Sequence, residues 1–166
     1  MGLIGFGPLE GEQRMAPAFE LASGKGKTVK LWDYKQRNSL VIYFVEGNET
    51  SFLPQLQTEY AAYRRNETEL LVIAAQSPEM VASLTENLSL TYPLLADPDY
   101  ATHAKYMQLI EPQYDPSSNK DKPVALFIAD RYGSVYRYAT SHIVANLPEQ
   151  GEILSFLEFL GNLCNP

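Results

Sequence analysis

Three short apolar runs limit this chain more than anything else in it: SLVIYFV (Ser39 to Val45), ELLVIAA (Glu69 to Ala75) and VALFIA (Val124 to Ala129). Each is short, rich in β-formers and apolar at nearly every position, which is the pattern of a strand covered on both faces. After the first run, Phe52, Leu53, Leu56, Tyr60 and Tyr63 follow a 0, 1, 4, 8, 11 spacing that places them on one helical face. Pro54 falls in the first turn of that helix, where a missing N–H costs nothing, and Thr50 or Ser51 is expected to cap it. SPEMVASLTENL starts a second helix, with Ser77 as cap, Pro78 at the first position and Glu79 near the positive end of the dipole. Its expected inward face is Met80, Val81, Leu84 and Leu88.

PLLA is a short strand, and Asp97-Pro98 opens a third helix through about Met107. VALFIADRYGSVYRYA reads as a hairpin turning around Asp130 to Gly133. The last helix is expected from near Pro148 to Leu160, with Ile153, Phe156, Leu157 and Leu160 inward and Gly161 as its stop. Nearer the front, KTVKLWDY reads as an edge strand through Val29 and Leu31. Strand–helix–strand alternation implies a parallel core, because crossovers are right-handed almost without exception. The closing hairpin makes the sheet mixed. The expected class is α/β, a mixed central sheet flanked by helices on both faces.

A chain of 166 residues fits one domain, 1–166, with 1–14 as an N-terminal extension. A net charge of -7 argues against nucleic acid, which needs concentrated Lys and Arg. No apolar run approaches the roughly 20 residues that span a bilayer. The start, MGLIGFGPLEGEQRMAP, has neither the basic opening nor the apolar block of a secretory leader, so a cytoplasmic location is expected. The triplets at Asn48, Asn66 and Asn87 are then chance matches to a glycosylation motif. The single cysteine, Cys164, leaves no intrachain disulfide and no cysteine-based metal cluster. Neither His103 nor His142 has a second ligand at metal spacing, so both are expected to be surface or loop residues, and no metal or cofactor is expected.

The pieces Ala16-Pro17-Ala18-Phe19-Glu20-Leu21, Gly26-Lys27-Thr28-Val29-Lys30-Leu31, Tyr43-Phe44, YPLLADPD (Tyr92 to Asp99) and KPVALFIADRYGSVYR stand in one order along the chain. In that order the chain resembles the peroxiredoxin-like branch of the thioredoxin fold, the family of alkyl hydroperoxide reductase and thiol-specific antioxidant. The resemblance covers about residues 15 to 160 and implies a thioredoxin-like fold. It also implies a cis peptide between Lys122 and Pro123, with Pro123 facing Thr50 and Ser51.

The departures concern the chemistry. In the family the nucleophilic cysteine lies at the start of the helix after the Tyr-Phe strand, where the dipole and nearby donors lower its pKa. Here the turn is Gly47, Asn48, Glu49, Thr50, Ser51, Phe52 and Leu53. One register puts Thr50 and Leu53 in cysteine positions, and another makes Thr50 the helper threonine and again leaves Leu53 for the nucleophile. A hydroxyl is far less acidic than a thiol and far less nucleophilic toward peroxide oxygen, so neither Thr50 nor Ser51 substitutes.

The expected function is therefore a binding or assembly module, with a homodimer or protein partner. Its candidate surfaces are the pocket mouth at Phe52 and Leu53 and the tyrosines Tyr132, Tyr136 and Tyr138. Two other readings stand beside it. One is a thiol-dependent antioxidant acting through Cys164 or a partner's cysteine. The other is a small-ligand or anion binder at the helix start, which Glu49 opposes by its charge.

Overall fold

The three apolar runs become neighbours at the middle of one sheet. The computed structural model describes the backbone of residues 3–8, 14–117 and 121–164, and the side chains of 14–117 and 121–162. Its strands are β1 (Leu3–Pro8), β2 (Arg14–Met15), β3 (Glu20–Ala22), β4 (Thr28–Lys30), β5 (Ser39–Val45), β6 (Thr68–Ala74), β7 (Leu94–Ala96), β8 (Val124–Ala129) and β9 (Ser134–Ser141). The helices are α1 (Phe52–Arg65), α2 (Pro78–Asn87), α3 (Ala101–Ile110) and α4 (Gln150–Cys164).

The main sheet runs β1-β9-β8-β5-β6-β7, with β2 also on β9. β5 pairs parallel with β6 from Ser39↔Thr68 to Val45↔Ala74, and antiparallel with β8 from Leu40↔Ala129 to Phe44↔Ala125. All of β6 and β8 and all of β5 beyond Ser39 are buried, as strands covered on both faces must be.

Alternation along the strands then sorts side chains into two cores. Val41, Tyr43, Val45, Leu70, Val72, Leu126 and Ile128 meet Leu53, Leu56 and Tyr63 of α1, Val81 of α2, and Ile153, Leu157 and Leu160 of α4. On the other face Ile42, Phe44, Leu71, Ile73, Ala125 and Phe127 meet Ala104, Tyr106 and Met107 of α3, together with Phe19 and Leu31. Helices cover both faces, as expected. Among the described residues no helix is long and apolar enough to cross a membrane.

One charged side chain enters the central strands without being stranded there. Glu69, buried in β6, accepts from Tyr60 Oη at 2.6 Å, from Arg64 Nη1 at 3.1 Å and from the Leu70 N–H at 3.0 Å. These donors replace the water that burial takes away from the carboxylate.

Several elements differ from the sequence expectation. The segment 1–14 contributes strands, with β1 pairing antiparallel to β9 along Phe6↔Ala139 and Pro8↔Arg137. The run expected as one edge strand at KTVKLWDY splits. β4 pairs only with β3 in a separate two-stranded sheet, and Leu31–Tyr34 curl into a 3-10 turn that drops Leu31 into the core. On α2, Val81 is buried and Leu84 and Leu88 pack on the core as expected, but Met80 is exposed and Thr85 is buried. α4 passes through Gly161 to Cys164, since a glycine costs a helix about 1 kcal/mol without ending it. The three hairpin tyrosines do not share a surface. Tyr136 packs on one core, Tyr138 on the other, and Tyr132 alone is exposed.

Candidate functional site

β5 delivers the chain to its turn at Glu46, and Gly47 makes the corner. Its φ of +96° suits glycine, and a Cβ there would meet Gln76 Cγ at 2.6 Å. Gln76 Nε2 in turn donates to the Glu46 carbonyl at 2.8 Å. Glu49 then folds back on the corner, its carboxylate accepting the N–H of Glu46 at 3.1 Å and of Gly47 at 2.8 Å. The Glu49 carbonyl accepts from the N–H groups of Phe52 and Leu53, at 3.1 and 3.2 Å, and so starts α1.

The expected cap by Thr50 or Ser51 is absent. Ser51 already has helical torsions, φ -90° and ψ -29°, and its side chain makes no capping bond. An N-cap side chain reaches the first N–H groups from extended torsions, and here Glu49 has taken over the role of organising the turn.

The two candidate nucleophile positions have opposite environments. Thr50 and Ser51 are exposed. Leu53 is 0% exposed, a core residue whose carbonyl accepts from the buried Tyr92 hydroxyl at 2.9 Å. Phe52 is half-buried, edge-on to Tyr43 with ring centroids 5.5 Å apart. The apolar pocket mouth expected at Phe52 and Leu53 is therefore closed by their own packing. The N–H groups of Glu46, Gly47 and Thr50 are likewise occupied within the turn, the last by the Asn48 carbonyl at 3.0 Å.

The loop before β8 corrects a second expectation. No cis peptide occurs among the described residues, so the Lys122–Pro123 bond is trans. Trans is the lower-energy form of an X–Pro bond unless surrounding structure enforces the other. Here the Pro123 carbonyl is held by His103 Nε2 at 2.8 Å. Lys122 and Pro123 line a cavity of about 10 Å³ with Phe44, Val45, Glu46, Asp97, Tyr100 and His103, whereas Thr50 to Leu53 lie outside its walls. The cavity is about the size of one water.

His103 is the residue that sequence reasoning missed. Expected on the surface, it is 3% exposed on α3, edge-on to the rings of Phe44, Tyr100 and Tyr114 at 5.7, 5.5 and 5.8 Å. The helix is launched toward it by Asp97, itself 3% exposed, whose two carboxylate oxygens accept the Thr102 and His103 N–H groups, each at 3.0 Å. Because Pro123 offers only an acceptor, Nε2 carries the proton, and Nδ1 is left buried without a partner. The helical spacing of His103 with Tyr106, Met107 and Ile110 was the available signal.

Burial pushes the His103 pKa down, Lys122 adds to that, and the Pro123 bond and Asp97 oppose it. A second proton on Nδ1 would find no acceptor. The unfolded chain titrates near the ordinary histidine value of about 6.5, so between that value and the lower folded one only the unfolded state takes up the proton. Stability is expected to fall as pH drops through that window. His103→Phe should flatten this part of a stability–pH profile measured by urea unfolding, and an unchanged slope would show that His103 does not cause it.

Cys164 is the last residue of α4, and its side chain lies outside the described residues.

The AhpC/TSA family model matches residues 13–137 of the chain. Among curated sequences, two from Mycobacterium tuberculosis, strains CDC 1551 and H37Rv, both bearing a peroxiredoxin name, are 32% identical over 91 residues, 51% of this chain and 55% of theirs. The chain thus spans about half the length of the curated relatives it matches. Of solved structures, AhpC from Enterococcus faecalis superposes with a TM-score of 0.73 at 19% identity, covering 92% of this chain and 93% of that one. Peroxidoxin BcpB of Mycobacterium tuberculosis gives 0.71 at 15% identity, covering 88% and 95%. These likenesses establish the peroxiredoxin-type thioredoxin fold, and the family match extends it to ancestry: the chain belongs to the AhpC/TSA family.

Proposed function

We propose that this family member works as a cytoplasmic binding or assembly module rather than as a thiol peroxidase. One observation carries the reading: the helix start that would hold the nucleophile has no cysteine between Gly47 and Leu53, and Leu53 is a core side chain. Peroxide reduction begins with attack by a thiolate on peroxide oxygen. Neither an exposed threonine nor a buried leucine supplies that electron pair. The partner is a protein. Pairing of two copies through Phe52 and Leu53 finds little support, since Leu53 is covered and Phe52 is packed on Tyr43.

The thiol-dependent alternative rests on Cys164, which has no basic residue among its immediate sequence neighbours. The anion-binding alternative is disfavoured by the Glu49 carboxylate already on the turn's N–H groups.

With hydrogen peroxide and excess dithiothreitol, peroxide loss should stay at the protein-free background for wild type and for Cys164→Ser alike. Turnover in the wild type that Cys164→Ser abolishes would overturn the reading.

A further inference from the structure

The end of the sheet opposite the Gly47 turn carries a surface that the packing of the fold does not account for. Met15, Trp32 and Tyr132 are 53%, 55% and 44% exposed, and they are three of the six large exposed hydrophobics among the described residues. They come from three separate segments, yet all line one shallow depression of about 20 Å³ together with Lys35 and Arg131. Backbone bonds fasten those segments to each other: Ala16 N–H to the Gly133 carbonyl at 2.7 Å, and Gln36 N–H to the Arg131 carbonyl at 2.6 Å. The hairpin turn is stiffened by Asp130 Oδ1, which accepts the N–H groups of Tyr132 at 2.9 Å and Ser134 at 3.0 Å.

Charge on this face runs against the rest of the molecule. Lys35 Nζ lies 4.1 Å from the Trp32 ring centre, and the Arg131 guanidinium lies 5.1 Å from that of Tyr132. Exposed Arg14 precedes Met15, and exposed Arg37 follows Lys35 by two residues. Of the residues that line the depression, Lys35 and Arg131 are cations and Asp130 is a carboxylate. Asp130 is buried in its turn, and exposed Asp33 accepts the Lys30 N–H at 3.0 Å. A chain of net charge -7 thus gathers cations around its only tryptophan.

We infer that this face docks an acidic segment of another protein, with an apolar side chain of that segment seated between Trp32 and Met15 and its carboxylates meeting Lys35 and Arg37. Trp, Tyr and Arg are the residue types that carry binding energy at interfaces. The exposed methionine adapts to varied apolar partners, and a pre-tied scaffold loses little entropy on binding. Two copies meeting through this same face would bring like charges together, which disfavours a symmetric pair here. The inference rests on the binding reading above, but its test is separate: peptide binding can fail without peroxidase turnover being gained, and the converse also holds.

Trp32 is the natural reporter. A labelled synthetic peptide of alternating Glu and Leu should bind the full chain in anisotropy titrations and shift Trp32 emission to the blue. Binding should weaken with added salt, and by about tenfold in Lys35→Glu/Arg37→Glu, a change of about 1.4 kcal/mol. Both substituted side chains are exposed, and an unchanged far-UV spectrum would confirm the fold. A Lys–Leu peptide binding equally well, or no binding of the Glu–Leu peptide, would overturn the inference. A blue shift that grows with protein concentration alone would also overturn it, by assigning the face to a second copy.

Discussion

Truncating Leu53 to alanine is expected to lower the unfolding free energy by about 2–5 kcal/mol, the range for a leucine removed from a packed core. The position would hold a nucleophile in the family, yet here the side chain has no exposure and belongs to the cluster containing Val45, Leu56 and Tyr92. Its neighbours sit on a sheet and on α1, so they can collapse only partly into the space. The urea midpoint should fall at unchanged slope, which marks a loss of stability rather than a change in the unfolded chain. Thr50→Ala, at an exposed position, should stay within about 0.5 kcal/mol of wild type. A Leu53→Ala cost below about 1 kcal/mol would mean that Leu53 lines an open mouth after all.

The second large effect is expected at Asp97. Its carboxylate accepts the N–H groups of Thr102 and His103, two residues that are themselves buried. Asp97→Ala removes both acceptors and leaves buried donors unpaired. Losing these two helix-start bonds should cost about 2–4 kcal/mol. Asp97→Asn keeps one acceptor oxygen and should lose less. The same substitution loosens the start of α3, so the His103–Pro123 contact should loosen with it. Amide exchange at Thr102 and His103 should accelerate in Asp97→Ala beyond the global change, and a uniform acceleration would show that the cap is not local.

The central strands could be read from the sequence because burial on two faces leaves a continuous apolar run, a signal that needs no knowledge of partners. Leu53 as an inward residue could be read for the same reason, from helical spacing. What could not be read depended on distant pairing. β1 is a Gly-rich run whose reason to be a strand is the backbone ladder it makes with β9 near the other end of the chain. The turn offered Thr50 and Ser51, both good caps, and the outcome was decided by Gly47, whose positive φ lets Glu49 reach back to the corner. The cis Lys122–Pro123 bond was carried over by resemblance, with no physical requirement in the sequence itself, and the bond is trans. The lack of a second metal ligand points His103 to the surface, whereas its place on the inner face of α3 is what buries it.

If the fold persists without a reactive thiol, as proposed, peroxide should oxidise the chain's single cysteine only slowly. Wild-type protein mixed with one equivalent of hydrogen peroxide, quenched over time and followed by intact mass, should show Cys164 oxidising no faster than free cysteine at the same pH. Oxidation orders of magnitude faster than free cysteine would contradict the account, because only a thiolate activated by its surroundings reacts so quickly.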